Sequence, residues 1–127
     1  MKLNKILFFS TILMIGLASC GDDNEAPSVT INQPANGSTY ATSDTIVFNV
    51  TVTDDVEVST VSLQSASNTL TLNENVNLSS YNDKSNFTFG YGIILNPDLS
   101  AGDYQIDVIA TDEEGEEGSD RLDFTIQ

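Results

Sequence analysis

The chain has no histidine and no tryptophan, a single cysteine, and only four Lys or Arg residues against 19 Asp and Glu. Each scarcity excludes something. Without histidine, both the commonest general base and the commonest zinc ligand are gone. One cysteine cannot close an internal disulfide. A net charge of −15 repels nucleic acid and anionic headgroups, so no nucleic-acid partner is expected. No glycine-rich phosphate loop is present. Serines are plentiful, but none has a lysine or histidine partner in a recognisable motif, and Lys84 sits in the polar stretch YNDKSN. A carboxylate pair for glycoside hydrolysis needs a deep cleft that raises one carboxyl's pKa, and a domain of this size has little room for one. A non-catalytic protein that requires no cofactor is expected.

The first residues, MKLNKILFFSTILMIGLAS, run from two lysines through an apolar stretch over 6–16 to small residues. That is the order of a secretory signal peptide, too short to cross a membrane comfortably. The next stretch, LASCGDDNE, holds the lone cysteine. Leu17, Ala18, Ser19 and Cys20 resemble the lipobox of bacterial lipoproteins. The resemblance implies removal of residues 1–19, acylation of Cys20 and a membrane partner through the lipid anchor. It also accounts for an unpaired thiol outside the cytosol, which would otherwise oxidise or pair with another molecule. Each buried methylene contributes ~0.8 kcal/mol, so two or three acyl chains hold the chain on its bilayer. Asp22, Asp23 and Glu25 resemble the acidic signal that sends some lipoproteins to the outer leaflet. An outer-membrane protein exposed on the cell surface is the expectation, with a periplasm-facing one as the alternative. Losing Lys2 and Lys5 with the signal takes the charge from −15 to −17. Residues 20–27 then form an acidic tether and 28–127 one domain.

Beyond the tether, apolar residues alternate with polar ones between turns rich in Asn, Asp and Gly. Alternating stretches lie at 29–31, 45–53, 59–65, 69–72, 86–95, 104–111 and 121–126. In 45–53, for instance, Ile46, Phe48, Val50 and Val52 share one face. This period of two marks half-buried antiparallel strands, and no helical period appears after residue 28. Seven strands in about 100 residues predict an all-β, antiparallel sandwich of two sheets. Tyr81, Phe87, Phe89 and Tyr91 could make a sugar platform, but three of the four alternate along one strand, which favours core packing.

The stretch LSAGDYQIDV puts Gly102 in a turn before Tyr104 and Ile106 two residues later. It resembles the tyrosine corner of immunoglobulin-like domains, where a tyrosine at the start of the sixth strand bonds back to the preceding backbone. With no cysteine pair and no tryptophan, the likeness is to bacterial immunoglobulin-like and cadherin-like domains. Acids gather in two loops of that fold: Asp54, Asp55 and Glu57 after the second strand, and six acids over 112–120 after the sixth. Both loops and the start of the first strand belong at one pole of such a sandwich. Convergent carboxylates suit Ca²⁺, which takes six to eight oxygens. DDNEAP (22–27), TVTDD (51–55) and the Ala110-x-Asp112-x-x-Gly115 ending resemble the calcium-binding stretches of cadherins, which implies Asp54 and Asp112 as ligands, joined by Asp22 and Asn24. Asp54 and Asp55 lack the spacer of the cadherin Asp-x-Asp, and no preceding domain supplies glutamates. Binding in the ~0.1–1 mM range is therefore expected. A solvated acidic turn closed by Gly115 and Gly118 fits the same residues without a metal. Three functions follow: an anchored module that binds a protein or a glycan through strand edges or distal loops, a spacer or adhesion element stiffened by calcium, and a small hydrolase, against which the missing histidine speaks.

Overall fold

A computed structural model describes residues 25–67 and 69–127. Eight strands alternate with turns: β1 (Ser28–Gln33), β2 (Ser38–Tyr40), β3 (Thr45–Thr53), β4 (Val58–Ser67), β5 (Leu70–Asn75), β6 (Asn86–Ile94), β7 (Gly102–Asp112) and β8 (Glu117–Ile126). They form two sheets, β1-β3-β6 and β2-β8-β7-β4-β5. The expected all-β sandwich is present, and each of the seven predicted strands has its counterpart. Two details differ. The three-residue β2 is an eighth strand, too short to show an alternation, and it runs parallel to β8 rather than antiparallel. It returns through a tight turn in which Gly37 takes a φ of 83° and donates its N–H to the Asp123 carbonyl at 2.7 Å. The second difference concerns the acidic run. Asp112 is the last residue of β7, while Glu117 and Asp120 stand on β8, so the turn itself is only 113–116.

The alternation explains the core. On β3 the inward set Ile46, Phe48, Val50 and Val52 is fully buried, and across the sandwich Ile106, Val108, Leu122 and Phe124 face it. Removing such a side chain from water contributes ~1.5–3 kcal/mol each. Phe87 and Phe89 belong to the same core, and Tyr81 packs on Phe87 at 5.1 Å between ring centroids. Phe87 and Phe89 of the candidate platform are thus core, as their spacing implied, with Tyr81 and Tyr91 partly buried against it.

Tyr104 closes one end of the core. Its ring stacks on Phe124 at 5.6 Å, and its hydroxyl donates to the Ser100 carbonyl at 2.6 Å, with the Thr69 hydroxyl 3.1 Å away. Gly102, at φ 145°, lets the chain turn between donor and acceptor. A buried phenol needs such a partner, because an orphaned one costs ~1–3 kcal/mol.

Candidate functional site

Two regions stand out, one by its charge and one by its lack of it. The first is the pole where the β3–β4 connection, the β7–β8 turn and the start of β1 meet. Glu113 donates its backbone N–H to the Glu57 carbonyl at 3.0 Å, tying the two acidic connections together. Pro27, buried just before β1, lies against Gly118 so closely that a Cβ there would run into the Pro27 carbonyl. The convergence expected of the fold is therefore real.

Within this pole Asp112 is almost fully buried, with 2% of its surface exposed. Its Oδ1 accepts the backbone N–H groups of Glu114 (2.8 Å) and Glu116 (2.9 Å), shaping the turn that Gly115 completes at φ 90°. Asp54 Oδ1 accepts from the N–H of Asp55 at 2.9 Å. The second oxygen of each carboxylate, Asp54 Oδ2 and Asp112 Oδ2, is buried and has no hydrogen-bond partner among the described residues. Burial pushes the Asp54 carboxyl up to about 6, and the side chain of Asp55 and the charge of Asp112 add to the rise, against a smaller opposing pull from the Asp55 N–H. A carboxyl raised in this way favours a proton, or a cation, beside it.

The other acids are dispersed. Asp120 Oδ2 accepts the N–H of Ile31 at 2.9 Å and so covers the β1 edge. Asp107 pairs with Arg121 at 2.7 Å. Among the described residues no group of three or more Asp, Glu, His or Cys gathers as a metal cluster. Cys20, Asp22 and Asn24 lie outside the described residues.

The second region is the sheet β1-β3-β6. None of the 23 charged residues of the chain stands on any of its three strands, whereas the other sheet carries Glu74, Asp103, Asp107, Asp112, Glu117, Asp120, Arg121 and Asp123. Outward positions on β3 are Thr45, Val47, Asn49, Thr51 and Thr53, paired with Ile94, Gly92, Gly90, Thr88 and Asn86 on β6. Asn32 donates to Asn49 Oδ1 (2.9 Å) and Thr51 Oγ1 (2.8 Å), and the hydroxyls of Thr51 and Thr88 are 2.9 Å apart. At the far end of this face stand the exposed large hydrophobic residues Val47 (63% exposed) and Ile94 (77%).

β6 is also an edge. It pairs with β3 on one side, and among the described residues no strand lies on its other side. Beyond it, Leu72 and Glu74 of β5 and Tyr91 of β6 border a shallow groove of about 300 Å³, where the Tyr91 hydroxyl donates to Glu74 at 3.3 Å. Burial first, then Glu74, pushes the Tyr91 phenol above its ordinary pKa. Natural sheets protect such edges with charges, prolines or short strands. β1 is covered by Asp120, β2 is three residues long, and β5 carries Glu74. β6 has nine residues and none of these devices.

Sequence reasoning found the acidic pair but passed over this face. A signal for it was present: the stretches 28–33, 45–53 and 86–94 contain no charged residue in a chain where charges are 18% of the total.

The chain's likenesses agree with this architecture. Its shape is similar to fibronectin(III)-like modules of Clostridium thermocellum CbhA, at 16% identity and a TM-score of 0.56, covering 78% of this chain and 94% of that one. It is also similar to a Niemann-Pick type C2 protein from Japanese carpenter ant, at 11% identity and a TM-score of 0.56, covering 85% and 96%. At such identities the likeness concerns the fold alone. No curated protein matches the sequence. The family pattern described as a bacterial Ig domain does match, over residues 27–108. That stretch is more than half of the sequence and takes in β1 to most of β7, so the chain belongs to the bacterial immunoglobulin-like domain family.

Proposed function

We propose that this protein is a membrane-anchored, non-catalytic binding module of the cell surface, held by lipid on Cys20 and meeting a protein partner along the β6 edge and the face of its sheet. The observation that carries the reading is the charge-free β1-β3-β6 face ending in an open nine-residue strand. Backbone groups left unpaired along an edge accept an extended segment of another chain by adding a strand, and side chains beside the edge select which segment. The lipobox-like LASC and the position of Pro27 at the acidic pole support anchoring from that pole, with the β6 edge free along the side. A glycan is the weaker partner, because the outward residues of the face include no aromatic ring on which a sugar could stack. A photo-crosslinking residue at position 92, on intact cells, is expected to trap a partner, and the same residue at position 105, exposed on the outer face of the other sheet, is not. Equal yields at the two positions, or none at 92, would overturn the reading.

A second role has its own support. The unpartnered oxygens of Asp54 and Asp112 suit a hard cation, with Asp22 and Asn24 of the tether and backbone carbonyls as the remaining ligands. Calcium would there supply the positive charge that lets both carboxylates stay ionised, and it would stiffen the junction between tether and domain. Two carboxylates are few for an ion that wants six to eight oxygens, so affinity in the ~0.1–1 mM range is expected. Millimolar calcium should raise the melting temperature of the protein and should fail to do so in Asp112→Asn. An unchanged melting temperature in the parent protein removes this role.

A further inference from the structure

We infer that the segment received along β6 is an extended strand of another protein that carries a lysine or arginine on its inward-facing row. The inference rests on the binding role proposed above and names the chemistry of the partner. The first observation is a mismatch of width. Three strands lie over five, and β6 and β5 end their sheets on the same flank, where the groove opens between them. A strand added to β6 fills the missing place in the narrower sheet. Its inward row continues that of Phe89, Tyr91 and Ile93 and closes over Leu72 and Glu74.

The second observation is the place of Glu74. On β5 Leu70, Leu72 and Glu74 alternate, and the ladder to β4 sets Leu72 opposite Ser65 and Glu74 opposite Leu63, both of them buried. Residues directly opposite share a face of the sheet. Glu74 thus stands on the core-facing row, exposed because the narrower sheet stops short of it. Its bond from the Tyr91 hydroxyl is long, at 3.3 Å. Among the described residues no cation pairs with it, and Arg121 is held by Asp107. A covering strand takes Glu74 out of water. A carboxylate buried unpaired is costly, and a base on the incoming strand offsets that cost. The same acid deters strands that bring no base, as inward-pointing charges do on natural edges. A second copy of β6 is such a strand, with no Lys or Arg among its nine residues.

The third is charge complementarity over a longer range. With 19 Asp and Glu against four Lys and Arg, the molecule draws basic segments and repels acidic ones. The groove also suits the stem of a basic side chain, which can lie on Leu72 and the Tyr91 ring with its head at Glu74. On the outward row Gly90 and Gly92 leave room for large side chains of the partner. Neither has a positive φ, and a Cβ at either would meet only ordinary contacts, the Phe48 carbonyl at 3.7 Å and Thr45 Cγ2 at 3.6 Å. The fold does not require glycine there, and glycine within a strand marks close approach of another backbone.

The test uses the full-length chain on intact cells with the photo-crosslinking residue at position 92. Mass spectrometry of the adduct is expected to find a segment of alternating residues with a lysine or arginine on one row. Glu74→Lys should lower the adduct yield at least tenfold, and Glu74→Gln should lower it less, with melting temperatures held. Asp103→Lys makes the same change in net charge from the exposed face of the other sheet and should lower the yield less than threefold. A synthetic peptide of the trapped segment, with its base replaced by glutamate, should bind the Glu74→Lys protein better than the parent. An adduct whose segment has no base overturns the basic strand and leaves the binding role standing. So does an adduct lowered equally by Glu74→Lys and Asp103→Lys. No adduct at position 92 removes both.

Discussion

At the scale of single residues, the acidic pole holds a carboxyl that works against the stability of the fold. Asp54 is raised from its ordinary 3.8 to about 6, first by burial and then by its acidic neighbours. Between these values the folded protein binds a proton that the unfolded chain releases. Stability contributed by this group therefore grows as the pH falls from about 6 towards 4, and is lost as the pH rises through 6. Melting measured across this window should show the rise, and Asp54→Asn should flatten it and raise the melting temperature at pH 7. A profile of the same slope in the variant would contradict it. The opposite logic holds at Asp83, whose carboxylate is bonded by the hydroxyl and N–H of Ser85 and lies below its ordinary pKa. Tyr104 and Gly102 were legible as a pair in the sequence, because a corner tyrosine and the turn before it sit at fixed spacing. The orphaned oxygens of Asp54 and Asp112 were not, since burial belongs to the packed turn and not to the residue.

At the scale of elements, strands announced themselves by alternation, and a run such as 45–53 shows why: every second residue must leave water for the sheet to pack. The three residues of β2 carry no such period, and their place is decided by a parallel ladder to β8, far away in sequence. The same distance hid the turn 113–116, where acids read as one loop divide between a buried strand end, a tight turn and the β8 strand. Close packing between elements makes a sharp prediction. Gly118→Ala would drive a Cβ into the Pro27 carbonyl, forcing β8 and the start of β1 apart. Overpacking of this kind costs ~1–3 kcal/mol, and a domain of about 100 residues loses ~4–8 °C per kcal/mol. Thermal melting checks it, and an unchanged midpoint would show that the tether junction yields.

At the scale of the whole molecule, charge is divided between the sheets, and the proposed role follows from that division. One face is left for contact while the rest of the surface stays acidic and keeps copies apart in solution. In the proposed role, lipid on Cys20 holds the chain at its membrane. Cys20→Ser should release the chain from the membrane fraction and remove the mass of its acyl chains, leaving the melting of the domain unchanged. A variant that stays on the membrane would refute anchoring through this residue.

The sequence by itself determined the strands, the sandwich, the tyrosine corner and the meeting of two acidic loops at one pole, because alternation and turn residues are local and the topology of a small sandwich admits few arrangements. Only the tertiary structure decided which strand is the open edge, which oxygens lose their partners, and that the uncharged strands lie side by side in one sheet. Those are facts of neighbourhood, set by pairings between residues dozens of positions apart, and no local pattern carries them.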